Sequence, residues 1–233
     1  MRAGDSVACS VFVVLTSSAG RVGDSGDNLV TFLNLAHSCV TEGVNGPGRR
    51  FTVWVQGCPH HCPGCFNPGL WPPVPRRRVT PEELVAELAA AGPLDGLTLS
   101  GGEPFDQAAA LDEFLDVVAG AALPPLSVIA FCGYTLEELR AGPPEWSRLL
   151  ARVDLLIDGL YREEFAAAAK PLTGSANQRR VPLTTVGERL LELVGSGPVG
   201  EVQVQITAAG EVLISGFPSP DLLRQLQSDL PED

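Results

Sequence analysis

The sequence predicts an α/β fold built on a parallel sheet, and three observations predict it. Short apolar runs alternate along the chain with longer stretches of helical spacing, which is typical of βα units. The chain has 233 residues and is 45% hydrophobic, which is enough for one buried core. No apolar run approaches the ~20 residues that cross a bilayer, so a membrane-spanning fold is not expected.

Four apolar runs are predicted to be strands of this sheet. They are residues 51–56 (FTVWVQ), 96–100 (GLTLS), 127–132 (SVIAFC) and 153–158 (VDLLID). Each run is short and bounded by turn residues, as strands in α/β proteins are. Functional residues of parallel α/β folds lie at the carboxyl ends of such strands, so the segments after them are where a site is expected.

The helices between these strands are predicted mainly from their first residues. Thr80 stands before Pro81 and two glutamates, which is a capping hydroxyl followed by a favourable first turn. That helix is expected to run to about residue 91, and a second helix to span residues 107–119. Thr135 is the predicted cap of a short helix over residues 136–140.

Three regions are predicted along the chain. Residues 1–27 are rich in Gly, Ser and Asp and are expected to be a poorly ordered leader. Residues 28–184 form the catalytic core. Residues 185–233 form an extension packed on the core: a helix over 185–194, two β runs at 201–206 and 211–215 with a turn around Ala209 and Gly210, and a last helix from near Pro220. The two β runs are predicted to make a β-hairpin.

The charge excludes some functions. A net charge of −12 and a pI near 4.6 disfavour binding to nucleic acid or to an anionic membrane surface, because both need clustered Lys and Arg. The only short basic run, residues 76–78, is interpreted as a solvated loop.

Six cysteines indicate a metal rather than disulfides, because three of them lie within eight residues. We therefore expect a reducing, cytoplasmic location. The apolar residues 7–15 resemble a secretory signal only faintly, since Cys9 and Ser10 interrupt them.

The cysteine loop is residues 57–68, GCPHHCPGCFNP, in which Cys58, Cys62 and Cys65 have the spacing C-x3-C-x2-C. Three thiolates can hold three irons of a cubane and leave the fourth iron open for a ligand. The alternative is a zinc site with His60 or His61 as fourth ligand, although zinc sites more often show two separated ligand pairs. Of the other cysteines, Cys132 stands at the same sheet edge and is interpreted as a buried core residue.

A glycine-rich segment follows the second predicted strand. It consists of Ser100, Gly101, Gly102, Glu103 and Pro104. The glycines are expected to expose backbone groups to a ligand, and the glutamate to offer an anionic partner to an ammonium group. Because neighbouring parallel strands end at the same edge, this segment and the cysteine loop are predicted to form one site.

Together these motifs resemble the radical S-adenosylmethionine superfamily, and more narrowly the glycyl-radical-enzyme activases that activate anaerobic ribonucleoside-triphosphate reductase. The resemblance runs from about residue 34 to residue 180. It rests on Val44-Asn45-Gly46-Pro47-Gly48 with Arg50, on the cysteine loop with Trp71, on Leu99 to Pro104, on Gly133-Tyr134 with Glu138-Leu139, on Asp158-Gly159, and on Gly174-Ser175 with Asn177-Gln178.

The resemblance implies an incomplete (β/α) barrel that holds a 4Fe-4S cluster on Cys58, Cys62 and Cys65. The open iron would bind the amino and carboxylate groups of S-adenosylmethionine, with residues 100–104 beside the methionine part. By the same resemblance the adenine would lie near Gly64, Phe66 and Asn67, and Asp158, Asn177 and Gln178 would close the site.

The implied activity is reductive cleavage of S-adenosylmethionine to a 5′-deoxyadenosyl radical, which abstracts hydrogen from a backbone glycine of a partner enzyme. No catalytic side chain beyond the cluster and S-adenosylmethionine is expected, because the cofactors supply the chemistry. Such enzymes take electrons from a donor such as flavodoxin or ferredoxin. Two alternatives remain: a stand-alone radical enzyme acting on a peptide or small metabolite, and a non-catalytic metal-binding module. The chain continues to residue 233, beyond the resemblance.

Overall fold

A computed structural model describes residues 31–195, 200–206, 212–219, 221–222 and 225. Its strands are β1 (Leu33–Glu42), β2 (Arg49–Val55), β3 (Arg77–Val79), β4 (Gly96–Gly101), β5 (Ser127–Phe131), β6 (Leu155–Asp158), β7 (Arg179–Pro182), β8 (Val202–Ile206) and β9 (Val212–Gly216). Its helices are α1 (Pro81–Ala90), α2 (Ala108–Gly120), α3 (Leu136–Ala141), α4 (Pro144–Leu150) and α5 (Thr185–Val194). Short 3₁₀ turns occur at Pro68–Leu70, Pro104–Gln107 and Glu163–Ala168.

Seven strands form one mixed sheet in the order β3-β1-β2-β4-β5-β6-β7. The four central strands β2, β4, β5 and β6 are parallel. β1 and β7 join them antiparallel on either side, and β3 pairs antiparallel with β1. The carboxyl ends of the parallel strands therefore meet at one edge, and the cysteine loop and the glycine-rich segment both start there. The predicted α/β fold with a parallel sheet is confirmed.

One face of the sheet is covered by α1, α2 and α4. Leu84 and Leu88 of α1 and Leu111 and Phe114 of α2 are buried in the main hydrophobic core against outward residues of the strands. Thr80 caps α1 in the predicted way: its hydroxyl accepts a hydrogen bond from the amide of the third helical residue.

The other face of the sheet carries a second, smaller core. Ile129 of β5 and Leu155 and Ile157 of β6 pack there against Leu190 and Val194 of α5. The helix α5 therefore covers part of this second face. The cysteine loop and the glycine-rich segment lie beyond it, at the carboxyl ends of the parallel strands. No helix in the described part of the chain is long and apolar enough to cross a membrane.

The predicted elements are found within about two residues of their expected bounds, and the missed ones are β1, β3, β7 and α4. The β1 sequence, LNLAHSCVTE, lacks a clean alternation of polar and apolar residues because both of its faces are partly covered. The predicted leader, the turn at residues 209–210 and the start of the last helix at Pro220 lie outside the described residues. The strands β8 and β9 pair antiparallel in a sheet of their own.

Candidate functional site

The cysteine loop follows β2 and is fixed by its own main chain. The amide of Cys58 donates to the carbonyl of Trp71 at 3.0 Å, and the amide of Cys65 donates to the carbonyl of Cys62 at 3.0 Å. Gly64, between the last two cysteines, has φ +71°, a left-handed value that favours glycine. The loop thus turns tightly, and these backbone bonds help to set where the thiols lie.

The thiols open into a cavity of about 130 Å³, called the cysteine cavity below. It brings together most of the residues that the sequence predicted, namely Cys58, Cys62, Cys65, Asn67, Ser100, Gly101, Gly102, Glu103 and Gln178. The parallel order of β2 and β4 accounts for this, since their carboxyl ends are neighbours.

The thiols of Cys58 and Cys62 are disfavoured as free thiolates. Burial raises the pKa of Cys58 to about 11 and also raises the pKa of Cys62, while amide groups of the loop oppose the shift at Cys58. Metal binding removes these protons, because the thiolate is the ligand. Among the described residues, no three His, Cys, Asp or Glu side chains converge on a single-ion site. Three thiols that open into one shared cavity fit three irons of a cubane.

The two glycines of the glycine-rich segment have a different role from the one expected. The amide of Gly102 donates to the carbonyl of Val55, and the amide of Glu103 to the carbonyl of Gly57, both at 2.8 Å. A Cβ on Gly102 would lie 2.0 Å from the carbonyl oxygen of Gly57. Gly101 has φ +107°. The glycines therefore allow the segment to pack directly on the cysteine loop, and these amides are not offered to a ligand.

Glu103 is 1% exposed and is bonded within the protein. One carboxylate oxygen accepts from the amide of Phe105 at 2.9 Å. The other accepts from the amide of Gly133 at 2.7 Å and lies 3.2 Å from His60 Nε2. His60 packs edge-on against Tyr134, with ring centroids 4.5 Å apart. Glu103 thus links the glycine-rich segment to the cysteine loop and to the end of β5, which the sequence did not indicate.

The remaining neighbours of these loops are structural. Pro104 is buried and begins the 3₁₀ turn that leads into α2. His61 stacks on Trp71 at 5.0 Å. Cys132 is 5% exposed, as expected of a core cysteine, but it also lines the cysteine cavity. Burial raises its pKa well above the ordinary value.

A larger cavity, of about 370 Å³, adjoins the cysteine cavity. Asn67, Ser100, Tyr161 and Gln178 line both. Gly64 and Phe66 line the larger one, so the three residues predicted beside the adenine, which include Asn67, face one space.

Gln178 is held firmly between the two cavities. Its side-chain oxygen accepts from the amides of Gly174 and Ser175 at 2.8 and 3.2 Å, and its nitrogen donates to the carbonyl of Gly159 at 2.9 Å. Its predicted position at the site is therefore matched by the fold.

Asp158 and Asn177 lie elsewhere, along a neighbouring cavity, and line neither of the other two. The Asp158 carboxylate is fully buried and accepts from the amide of Leu136 at 2.7 Å and from Arg179 Nε at 2.9 Å. Asn177 donates to the carbonyl of Leu160 at 2.8 Å. Both side chains are used to join segments of the fold, so the structure does not bring them to the predicted site.

Some cavity residues could not be found from the sequence. Tyr161 and Asn45 lie in loops and have no pattern of their own, and Phe217 stands after β9, far from the motifs in sequence. Asn45 belonged to a motif that carried the resemblance, but no role followed from it.

Comparisons with known proteins identify the family of the chain. The family model described as "4Fe-4S single cluster domain" matches residues 44–181. The chain is similar to the anaerobic ribonucleoside-triphosphate reductase-activating protein of Vibrio cholerae, with 37% identity over 141 residues, which is 58% of this chain and 88% of that protein. The proteins of the same name from Escherichia coli K12 and Enterobacteria phage T4 are 30% and 33% identical over 141 residues, again 58% of this chain, and 89% and 85% of those proteins.

One solved structure is also similar, that of QueE from Escherichia coli, with 16% identity and a TM-score of 0.40 over 70% of this chain and 89% of that one. This likeness is too weak to support any statement about the chain.

Proposed function

Because the chain belongs to the 4Fe-4S single cluster domain family, together with the anaerobic ribonucleoside-triphosphate reductase-activating proteins, we propose that it is a radical S-adenosylmethionine activase. Its substrate is a glycine of a partner enzyme such as anaerobic ribonucleotide reductase. The observation that carries the proposal is the cysteine cavity, in which three thiols of one loop face Ser100 of β4 and Gln178, the residue before β7.

Cys58, Cys62 and Cys65 hold the cluster in this proposal, and residues 100–104 lie beside the methionine part of S-adenosylmethionine. Gly64, Phe66 and Asn67 lie beside the adenine, and Gln178 separates the two cavities. The chemistry that the cofactors supply is one-electron reductive cleavage of the sulfonium, followed by transfer of a hydrogen atom from glycine to the 5′-carbon.

The residues of the chain position and shield these groups. Glu103 keeps His60 and the glycine-rich segment in fixed places through bonds to three backbone or ring groups. The three cysteines are half-buried, and shielding from water is required where a radical must not be quenched.

The finer features of the fold belong to the same proposal. The open order of the seven-stranded sheet supports an incomplete barrel, and the antiparallel pair β8 and β9 supports a C-terminal hairpin. We keep residues 28–184 as the core and residues 185–233 as the extension. The proposal also includes an electron donor, such as flavodoxin or ferredoxin, and a reducing, cytoplasmic location.

One observation favours a second candidate, a radical enzyme that modifies a peptide or a small metabolite. The larger cavity is lined partly by residues after β8, outside the matched region 44–181. A cavity of this kind suits a small substrate as well as a protein segment.

The test is anaerobic reconstitution with iron and sulfide. We expect one cubane per chain, and formation of methionine and 5′-deoxyadenosine under strong reductant. One equivalent of zinc without labile sulfide contradicts the proposal. A glycyl radical on anaerobic ribonucleotide reductase, seen by electron paramagnetic resonance, separates the activase from the second candidate.

A further inference from the structure

The segment that ends β9 forms one wall of the larger cavity. Its cavity-lining residues are Ile214, Ser215, Gly216, Phe217, Pro218 and Ser219. Ile214 and Ser215 are each 3% exposed, so this wall is packed against the rest of the protein. The family model ends at residue 181, which means that the wall is an addition to the matched region.

Two glutamine side chains of β8 anchor the strand pair to β1. Gln203 accepts from the amide of Glu42 at 2.8 Å, and Gln205 donates to the carbonyl of Val40 at 3.0 Å. On this side of β1, β3 pairs only with residues 33–35. The glutamines therefore satisfy backbone groups beyond the reach of β3, as a further strand would.

Phe217 is held by the backbone around it. Its amide donates to the carbonyl of Glu201 at 3.1 Å. The preceding Gly216 has φ +111°, and a Cβ there would lie 2.4 Å from the same carbonyl oxygen and 3.2 Å from Val44 Cβ. The ring of Phe217 packs on Phe131 with centroids 5.3 Å apart, and Phe131 lines the cysteine cavity. The Phe217 ring thus lines the larger cavity and supports a ring at the cluster side.

A buried donor without a partner also lines this cavity. Asn45 is 5% exposed, and its side-chain nitrogen makes no hydrogen bond. Its main chain is fixed, because Thr98 donates to the Asn45 carbonyl at 2.9 Å and is itself bonded to Arg50 at 2.8 Å. An unmatched buried donor is unfavourable unless a ligand supplies an acceptor, so a carbonyl group of a ligand is expected here.

We propose that Phe217 is a specificity-determining residue: it leaves room in the larger cavity for a chain segment with glycine, but not for one with a side chain at that position. The inference rests on the proposed function and deepens it by adding what selects the substrate. A peptide segment supplies the carbonyl that Asn45 lacks. In this proposal the fixed ring opposes a Cβ, and one extra methylene group in a hydrophobic pocket changes binding by about 10–200-fold.

The test measures binding to cluster-loaded protein with S-adenosylmethionine present and no reductant. The probes are a synthetic peptide around the radical glycine of anaerobic ribonucleoside-triphosphate reductase and the same peptide with alanine in its place. We expect the natural chain to prefer glycine at least about tenfold, and Phe217→Ala to prefer it less than about threefold. Phe217→Leu keeps an apolar wall and should lie between them.

Ile206→Ala is the matched control, since Ile206 is 74% exposed on β8 and lines neither cavity, and it should keep the full preference. An unchanged preference in Phe217→Ala overturns the inference, and so does weak or equal binding of both peptides by the natural chain. A loss of S-adenosylmethionine affinity in Phe217→Ala without a change of preference also overturns it, because Phe217 would then serve the cofactor. Failure of the proposed function is distinguishable, since then the natural chain does not cleave S-adenosylmethionine under reductant.

Discussion

Glu103 illustrates how one residue can be found from the sequence and still be misread. The sequence identified it as an anion beside the cofactor, and the fold places it at the cysteine cavity. Its oxygens, however, already accept from two amides and face His60. The ammonium group of a ligand would bind Glu103 in addition to these partners and would not take the place of water. The carboxylate would therefore both orient its neighbours in the protein and bind the ligand.

We expect Glu103→Gln to weaken S-adenosylmethionine binding by about ten- to a hundredfold, because a charge-assisted hydrogen bond contributes roughly 1.5–3 kcal/mol. The amide nitrogen of the new side chain would also face the amide of either Phe105 or Gly133, donor against donor. Isothermal titration calorimetry of the cluster-loaded protein with S-adenosylmethionine measures the affinity, and the iron content checks that the cluster is intact. Glu87→Gln is the control, since Glu87 pairs with Arg77 at the surface, away from both cavities. Unchanged affinity in Glu103→Gln would refute the role.

The four cysteines at the cysteine cavity allow a matched comparison. Cys58→Ala removes a proposed ligand, whereas Cys132→Ala removes a thiol that lines the same cavity but lies outside the loop. We expect Cys58→Ala to lose the cluster and Cys132→Ala to keep full iron and sulfide, measured by chemical analysis and visible absorption. Equal loss in both variants would mean that Cys132 is a ligand and that the three-cysteine assignment is wrong.

Among single residues, the spacing of motifs predicted which side chains lie at the site, but the sequence did not predict their hydrogen-bond partners. The positions of the three cysteines and Ser100 were predictable because motifs at neighbouring strand ends must converge, whereas Gln178 was expected only from the family resemblance. Asp158 has the same kind of motif, but its carboxylate is taken up by Arg179 and a helix amide. Nothing in the sequence tells which partner a buried carboxylate will choose.

At the scale of elements, Arg179 of β7 joins three parts of the fold. It donates to Asp158 at the end of β6 and, at 2.6 Å, to Glu137 in the first turn of α3. Asp158 is fully buried, and the guanidinium supplies the charge that balances it.

We expect Arg179→Ala to lower the free energy of unfolding by about 2–3 kcal/mol, because it leaves the Asp158 charge buried without its cation. This figure is reduced from that of a fully buried pair because the arginine itself is 46% exposed. Urea unfolding measures the loss. Arg148→Ala is the control: Arg148 is 56% exposed and lies 3.4 Å from Asp112, so its loss should change stability by less than about 1 kcal/mol. Similar losses in the two variants would contradict the assigned role.

The ion pair between Arg179 and Glu137 predicts that stability depends on pH. The hydrogen bond from Arg179 lowers the pKa of Glu137 from its ordinary 4.5 to about 2. A carboxyl group with a lowered pKa stabilises the fold above its ordinary pKa and loses that effect as the pH falls toward the folded value. Glu137→Gln should therefore be less stable than the natural chain at pH 6, and the difference should shrink as the pH falls from 4.5 toward 2. A difference that stays constant in denaturant titrations over this range would contradict it.

Whole elements were predictable where local signals were strong. Thr80 and Thr135 begin helices with complete capping boxes, as their sequences indicate. The strands β3 and β7 were missed because each is short, at an edge of the sheet, and contains two adjacent arginines. Edge strands often carry charge, so their sequences look like loops.

At the scale of the whole molecule, the predicted extension begins with a helix, α5, that packs on the sheet. Leu190 and Val194 of α5 are buried with Ile129, Leu155 and Ile157 of the sheet. The helix thus covers core residues, while the strands β8 and β9 contact β1 and the larger cavity. Periodicity could predict each element here, but not which surface each would cover, because that depends on contacts far apart in sequence.

Two truncations separate these roles. Removal of residues 196–233 takes away the wall of the larger cavity and keeps α5, so we expect the cluster and uncoupled cleavage of S-adenosylmethionine to remain. The yield of substrate radical per 5′-deoxyadenosine should fall at least about tenfold, because an enzyme loses rate when its substrate is misplaced even slightly. Removal of residues 185–233 also uncovers Ile129, Leu155 and Ile157, and should lower stability by several kcal/mol, at about 25 cal/mol for each Å² of apolar surface exposed.

The decisive measurement compares the two activities in the longer truncated protein, residues 1–195, after its iron content has been matched to that of the natural chain. Retained cleavage with little substrate radical assigns β8 and β9 to substrate positioning. Loss of both activities in soluble, cluster-loaded protein would place these strands within the catalytic core, because the larger cavity then could not hold even the cofactor without them. Full coupling would show that the wall has no part in positioning the substrate, and the extension would then act only in stability.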